Sequence, residues 1–137
     1  MISFNYETNF CLDNELELSK WITSVIESEG FNEGEINYIF CDDNYLLGLN
    51  IQFLNHNTLT DIISFDYTTG KQINGEIYIS IERVKENSID YHIHFLDELY
   101  RVMIHGILHY CGYKDKSKKD KELMRLKEDL YLGVRIK

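Results

Sequence analysis

Proline is absent from this 137-residue chain, so no proline-rich linker divides it, and there is no repeat or low-complexity stretch either. No apolar run is long enough to cross a membrane as a helix. The opening residues, Met1-Ile2-Ser3-Phe4-Asn5, lack the basic start and apolar stretch of a secretory signal. Together these absences indicate a cytoplasmic protein with no membrane contact. Cysteine is sparse: Cys11, Cys41 and Cys111 are an odd number with no paired spacing, which argues against a disulfide framework. What remains is ordinary for a globular domain, with 44% hydrophobic and 27% charged residues. The length suits one domain, residues 1–137, with a real core.

Basic residues are scarce in the first 100 positions, where four face 18 acidic ones, but residues 101–137 hold ten basic against five acidic. The overall charge of −9 argues weakly against a nucleic-acid partner, but its distribution matters more than its sum. Lys114, Lys116, Lys118, Lys119, Lys121, Arg125 and Lys127 follow one motif directly. A lysine run alone is most simply a solvated helix face. Beside a hydrolytic site, steering of an anion is an equal reading.

That motif is His105-Gly106-Ile107-Leu108-His109-Tyr110-Cys111-Gly112-Tyr113-Lys114-Asp115. Residues at i and i+4 share one helix face, so both imidazoles can reach one ion. Gly112 can adopt the left-handed conformation that ends a helix, and the returning chain can bring Asp115 under the same ion. Two nitrogens and one oxygen with a fourth position open make the layout of a catalytic zinc site. Metzincin-type proteases place a glutamate, their general base, directly after the first histidine. Here that position is Gly106, so a peptidase mechanism lacks its base. Cys111 reads as a buried helix thiol rather than a ligand.

Elsewhere the pattern alternates between strand and helix. Ile2 to Tyr6 alternates as a strand does. Asp13 or Asn14 can cap a helix carrying Leu16, Trp21, Ile22, Val25 and Ile26 that ends near Gly30. Glu35 to Cys41 is a strand, and Asp43 can cap a helix through Leu46, Leu47, Leu49 and Phe53. A polar loop from Asn55 to Thr60 leads to a strand over Asp61 to Tyr67, a turn at Thr68-Thr69-Gly70 and a strand over Glu76 to Ser80. Ser80 can cap a helix to Asn87. Leu96 to Cys111 is the most apolar helix, and Ser117 to Leu132 a charged one with Leu123, Leu126 and Leu130 facing inward. The order predicts an α+β fold: one mixed four-stranded sheet packed against about five helices, with the metal site at the end of a core helix. His92 and His94 read as a loop before that helix with one exposed histidine, in preference to a second metal site. Phe4, Tyr6, Tyr38, Phe40, Tyr67 and Tyr78 offer ring faces on which a planar ligand could stack, but at strand alternation they read as core.

Three blocks carry a family resemblance. Thr60-Asp61-Ile62-Ile63-Ser64-Phe65, Gly75-Glu76-Ile77-Tyr78-Ile79-Ser80, and Glu98 through His109 resemble, in order and spacing, the corresponding strands and H-G-x-L-H helix of the YbeY family of metal-dependent endoribonucleases. The resemblance implies a zinc-dependent, single-strand-specific endoribonuclease. It would act in ribosomal RNA processing, including the small-subunit 3′ end, and in ribosome quality control. It implies one zinc ion per chain held by His105, His109 and Asp115, with small-subunit ribosomal proteins or a GTPase as partners. In the usual motif the third ligand is histidine, and Lys114 stands where the family often has aspartate. The extra negative charge of Asp115 predicts a pH optimum above that of Asp115→His, checked by comparing the two pH profiles.

A second departure is Leu54, which stands where the family usually carries a loop arginine. His56 and Arg101 are candidate cationic substitutes, with pairing to Glu98 the alternative for Arg101. His56 could contact phosphate or transfer a proton, and Tyr113 either positions substrate or packs behind the helix cap. Asp61 and Ser64 are candidates to line the cleft, and Lys114, Lys116, Lys118 and Lys119 to meet RNA. Two other classes stand beside the nuclease: a zinc hydrolase of another substrate such as peptide, and a ribosome-associated factor that binds RNA or protein and cleaves poorly.

Overall fold

The computed structural model describes residues 1–54 and 59–135. Its elements follow the order β1 (Ile2–Tyr6), α1 (Glu15–Ser28), β2 (Asn32–Cys41), α2 (Asp43–Leu54), β3 (Ile62–Asp66), β4 (Gln72–Ser80), α3 (Ile81–Asp90), α4 (Phe95–Tyr110) and α5 (Lys118–Arg135). The four strands form one mixed sheet in the order β1-β2-β4-β3. β1 and β4 run parallel to β2, and β3 runs antiparallel to β4. Among the described residues, the expected α+β architecture of one sheet and five helices is present.

The central strands are covered on both faces, which explains their nearly continuous apolar sequence. One face carries Ile36, Tyr38, Phe40, Ile73, Ile77 and Ile79 into the main core, where α1, α3, α4 and α5 pack. The other carries Cys41, Ile63, Phe65 and Tyr78 against Leu46 and Leu49 of α2. Each fully buried isoleucine of this kind contributes about 1.5–3 kcal/mol. α4 is the central helix, with Leu99, Met103, Ile104, Ile107 and Leu108 all inaccessible to solvent.

Two glycines let α4 lie close on the sheet. Gly75 leaves room for the Tyr110 hydroxyl, which lies 2.9 Å from the Phe65 carbonyl oxygen and 3.1 Å from that of Glu76. A Cβ at Gly75 would stand 2.4 Å from that hydroxyl oxygen. Gly106 faces the Cδ1 atoms of Ile77 and Ile62. The helix that bears the histidines is therefore anchored at both of these points.

Local signals were largely realised, with four corrections. Ser80 caps α3 by accepting a hydrogen bond from the Arg83 amide at 3.2 Å. The α2 cap is Asp42, not Asp43: the Asp42 carboxylate accepts from the Tyr45 amide at 2.8 Å. Asp43 instead pairs with Arg83 at 2.9 Å and accepts from the Ser80 hydroxyl at 2.7 Å. β2 and β4 start earlier than the alternation suggested, because their first residues pair with each other around a bulge between Glu33 and Ile36. Leu16 is exposed, and Leu18 takes the buried place on α1.

The fourth correction concerns α5. Leu123, Leu126 and Leu130 are exposed, and the buried face is Met124, Glu128 and Tyr131. At about 100° per residue the two stripes lie about 130° apart around the helix. The polar bonds of Glu128 and Tyr131, described below, set the rotation of this helix against its leucine pattern.

Candidate metal centre

α4 ends in a Schellman motif. The Gly112 amide donates to the His109 carbonyl and the Tyr113 amide to the Leu108 carbonyl, each at 3.0 Å. Gly112 has φ 103°, the left-handed region that the closure needs. The reversal carries Asp115 back beneath the last turn of the helix. There His109 Nε2 lies 3.0 Å from His105 Nε2 and 3.3 Å from Asp115 Oδ2, and His105 Nε2 lies 3.2 Å from the same oxygen. Three ligand atoms at tetrahedral angles, each about 2.0–2.1 Å from a zinc ion, would stand about 3.3 Å apart. The donor set and its spacing therefore fit a metal ion. Among the described residues this is the one group of three or more such side chains that converges in this way.

Behind His105 stands Glu128 of α5. His105 Nδ1 lies 2.7 Å from Glu128 Oε2, so the imidazole donates from Nδ1 and leaves the Nε2 lone pair facing the ligand cluster. Burial alone would raise the Glu128 pKa, but the His105 and Arg101 hydrogen bonds more than offset it and hold the carboxyl below its usual range. For His105, burial works downward and the Glu128 carboxylate upward, with a net upward shift. Arg101 completes the relay, with Nη1 on Glu128 at 2.8 Å and Nη2 on Asp129 at 2.7 Å. Its guanidinium pairs with these two carboxylates and not with Glu98.

Glu128 was invisible to motif reading, because no local spacing links it to His105. The available signal was an acidic residue between Met124 and Tyr131 on the same face of α5. Glu128→Gln is expected to weaken metal affinity by about 10–100-fold, as losses behind a histidine ligand do. Titration with a competing chelator measures it.

The cluster opens into a cleft of about 450 Å³, lined also by Thr60, Asp61, Ser64, Tyr91, Glu98 and Arg125. Asp61 and Ser64 thus lie where the sequence placed them. Burial pushes the Asp61 carboxyl up, and burial followed by the nearby Asp61 does the same to Glu98. Glu98 is 5% exposed and sits two helical turns before His105 on the same face. Lys114, Lys116, Lys118 and Lys119 are all exposed and form no ion pair among the described residues. His56 lies outside the described residues. His92 and His94 are both exposed, where one exposed histidine was expected of that loop. Burial pushes the Cys111 thiol up to about 12, in keeping with an inert packed thiol.

Tyr113 is not among the residues that line the cleft. Its ring packs against the main core, and its hydroxyl donates to Glu29 at 2.6 Å. Glu29 also accepts from the Tyr131 hydroxyl and from Lys127 Nζ, the latter at 3.2 Å. Burial alone would raise the Glu29 pKa, but these three donors hold it below its ordinary value. A carboxylate with a lowered folded pKa stabilises the fold above its unfolded pKa of about 4.3 and loses that contribution as pH falls through the folded value. Glu29→Gln is therefore expected to cost about 2 kcal/mol at pH 7. The gap from wild type should close below pH ~4, as urea denaturation at both pH values would show.

Among the described residues, no helix is long and apolar enough to cross a membrane. A family model described as Endoribonuclease YbeY matches residues 3–134. The chain is 64% identical over 129 residues to an endoribonuclease YbeY of Flavobacterium johnsoniae, covering 94% of this chain and 93% of that one. It is 65% identical over 129 residues to an endoribonuclease YbeY of Flavobacterium psychrophilum, covering 94% and 92%. Among solved structures it resembles the solution structure of TM1509 from Thermotoga maritima. The TM-score is 0.73 at 26% identity, over 98% of this chain and 89% of that one.

Proposed function

The chain belongs to the endoribonuclease YbeY family, and on that premise we propose that it is a zinc-dependent, single-strand-specific endoribonuclease of the cytoplasm. Its work is ribosomal RNA processing, including small-subunit 3′ end maturation, and ribosome quality control. Its partners are single-stranded or ribosomal RNA, together with small-subunit ribosomal proteins or a GTPase. Residues 1–137 act as one hydrolase domain.

The observation that carries this reading is the convergence of His105 Nε2, His109 Nε2 and Asp115 Oδ2 at one point of an open cleft. Two imidazoles and one carboxylate are a donor set that zinc favours. When bound there, the ion supplies Lewis acidity to a phosphoryl oxygen and makes an adjacent water more acidic. The protein's own part is to hold the geometry. Glu128 fixes the orientation and tautomer of His105, and Arg101 fixes Glu128. Arg101 is thus a positioning residue, its charge taken up by Glu128 and Asp129. The lysines after the motif raise the local concentration of RNA near the cleft.

The peptidase alternative is disfavoured by Gly106, which leaves no carboxylate after the first histidine and packs its Cα side against Ile77 and Ile62. The test is incubation of the purified protein with single-stranded ribosomal RNA and with its duplex form. Cleavage of the single strand only, lost with a chelator and restored by zinc, is expected. Cleavage that ignores the chelator, or a peptide cleaved in place of RNA, would overturn the reading. RNA binding without cleavage would point to an assembly factor.

A further inference from the structure

Three hollows adjoin at the mouth of the metal cleft, and among the described residues Arg125 is the one side chain that lines all three. Tyr91 lines both the cleft and a neighbouring hollow that shares His105 and Asp115. Arg125 lines these two and also an open groove on α5 with Lys118 and Lys121. Tyr91 is 59% exposed. Neither its hydroxyl nor the Arg125 guanidinium forms a hydrogen bond or salt bridge among the described residues.

The position of Tyr91 is set by the backbone. It is the C-cap of α3, and the following residue, His92, adopts φ 58°, rare for a residue other than glycine. The His92 amide donates to the Ile89 carbonyl at 3.2 Å and the Ile93 amide to the Ser88 carbonyl at 3.0 Å. That closed turn fixes the Tyr91 backbone while its ring stays in solvent, so little order remains to be imposed when a ligand stacks on it. Charge singles out Arg125 in a similar way. The cleft holds the carboxyl groups of Asp61, Glu98, Asp115 and Glu128, which repel phosphate. Arg101 is bound to Glu128 and Asp129. Of the two cleft arginines, Arg125 is the one with its fork open.

We infer that Tyr91 and Arg125 form a nucleotide clamp at the cleft mouth. Tyr91 stacks on the base that flanks the scissile phosphate, and Arg125 pairs with an adjacent phosphate. Lys121 and Lys118 continue the path of the strand along α5. The inference rests on the endoribonuclease reading above and deepens it. A base must leave its helical stack to lie on Tyr91, so the clamp selects single strands over duplex.

The test is fluorescence anisotropy with an end-labelled single-stranded phosphorothioate oligonucleotide that resists cleavage, one base of which is 2-aminopurine. Tyr91→Ala should bind about tenfold more weakly and lose the 2-aminopurine quenching, whereas Tyr91→Trp should keep both. Arg125→Ala should bind about tenfold more weakly and lower the slope of log affinity against log salt by about 0.7, the contribution of one single-strand phosphate contact. Both positions are exposed, so melting temperatures should match wild type. If wild type binds and cleaves while Tyr91→Ala and Arg125→Ala bind as it does, the clamp is wrong and the nuclease reading stands. If wild type neither binds nor cleaves single-stranded RNA, the nuclease reading fails and the clamp falls with it.

Discussion

Purified His109→Ala is expected to be folded, to carry no stoichiometric zinc, and to cleave single-stranded RNA at least about 10³-fold more slowly than wild type. The rate loss follows from the metal's share of the chemistry: Lewis-acid stabilisation worth several kcal/mol corresponds to about three powers of ten. The loss of zinc follows from geometry. His105 and Asp115 would remain 3.2 Å apart, but two ligands leave two positions to water, which a zinc site does not tolerate at ordinary metal concentrations. The folded state should survive because the His109 side chain is 31% exposed on the last turn of α4. The hydrogen bonds that end the helix are made by backbone groups, the His109 carbonyl among them, and do not involve its side chain. Metal content, a melting curve and a cleavage time course on one preparation separate the possibilities. Cleavage equal to that of wild type would show that the nuclease in the preparation is not this metal centre. A variant that keeps its zinc would mean that another donor completes the site.

The parts of this centre that were legible in the sequence are those set by chain-local geometry. His105 and His109 share a face because they are four apart on one helix, and Gly112 reads as a stop because φ 103° is open to glycine and costly to most other residues. Asp115 follows from both, since a closed turn leaves the chain only one way back. The parts that were not legible depend on how α5 is rotated against α4. Hydropathy assigned Leu123, Leu126 and Leu130 to the inner face, yet that face carries Glu128 for His105 and Tyr131 for Glu29. A buried carboxylate held by a guanidinium and an imidazole N–H fixes a helix orientation that a leucine stripe alone would not choose. The alternative partner for Arg101 fails for the same reason: its nearest acid along the helix is Glu98, but its carboxylate partners come from another element. Tyr91 gave no motif at all. It became conspicuous only once α3 and α4 had placed it at the cleft mouth.

The second large effect concerns the residue after the first histidine. Gly106→Glu restores the sequence pattern of a zinc peptidase, and it is expected to destabilise the protein by about 4 kcal/mol or more and to yield no peptidase. Gly106 is buried where α4 crosses the sheet, and its Cβ would stand 3.1 Å from Ile77 Cδ1 and 3.2 Å from Ile62 Cδ1. A single methyl there meets the flexible ends of two side chains, and the helix gains about 1 kcal/mol on replacing glycine by alanine. Gly106→Ala should therefore lie close to wild type in stability. A glutamate has no such escape, because its longer chain must overpack the interface, at about 1–3 kcal/mol. Its carboxyl would also enter an apolar contact where nothing donates to it, and burying an unpaired charge costs several kcal/mol more. Against a total stability of about 5–15 kcal/mol for a domain of this kind, that is enough to shift the urea midpoint severely or to prevent folding. The two variants measured side by side in urea separate space from charge. If Gly106→Glu were as stable as Gly106→Ala, the side chain would have to leave the interface and reach the cleft. The metal centre would then be open to peptidase chemistry, and the packing of α4 on β3 and β4 described above would be wrong.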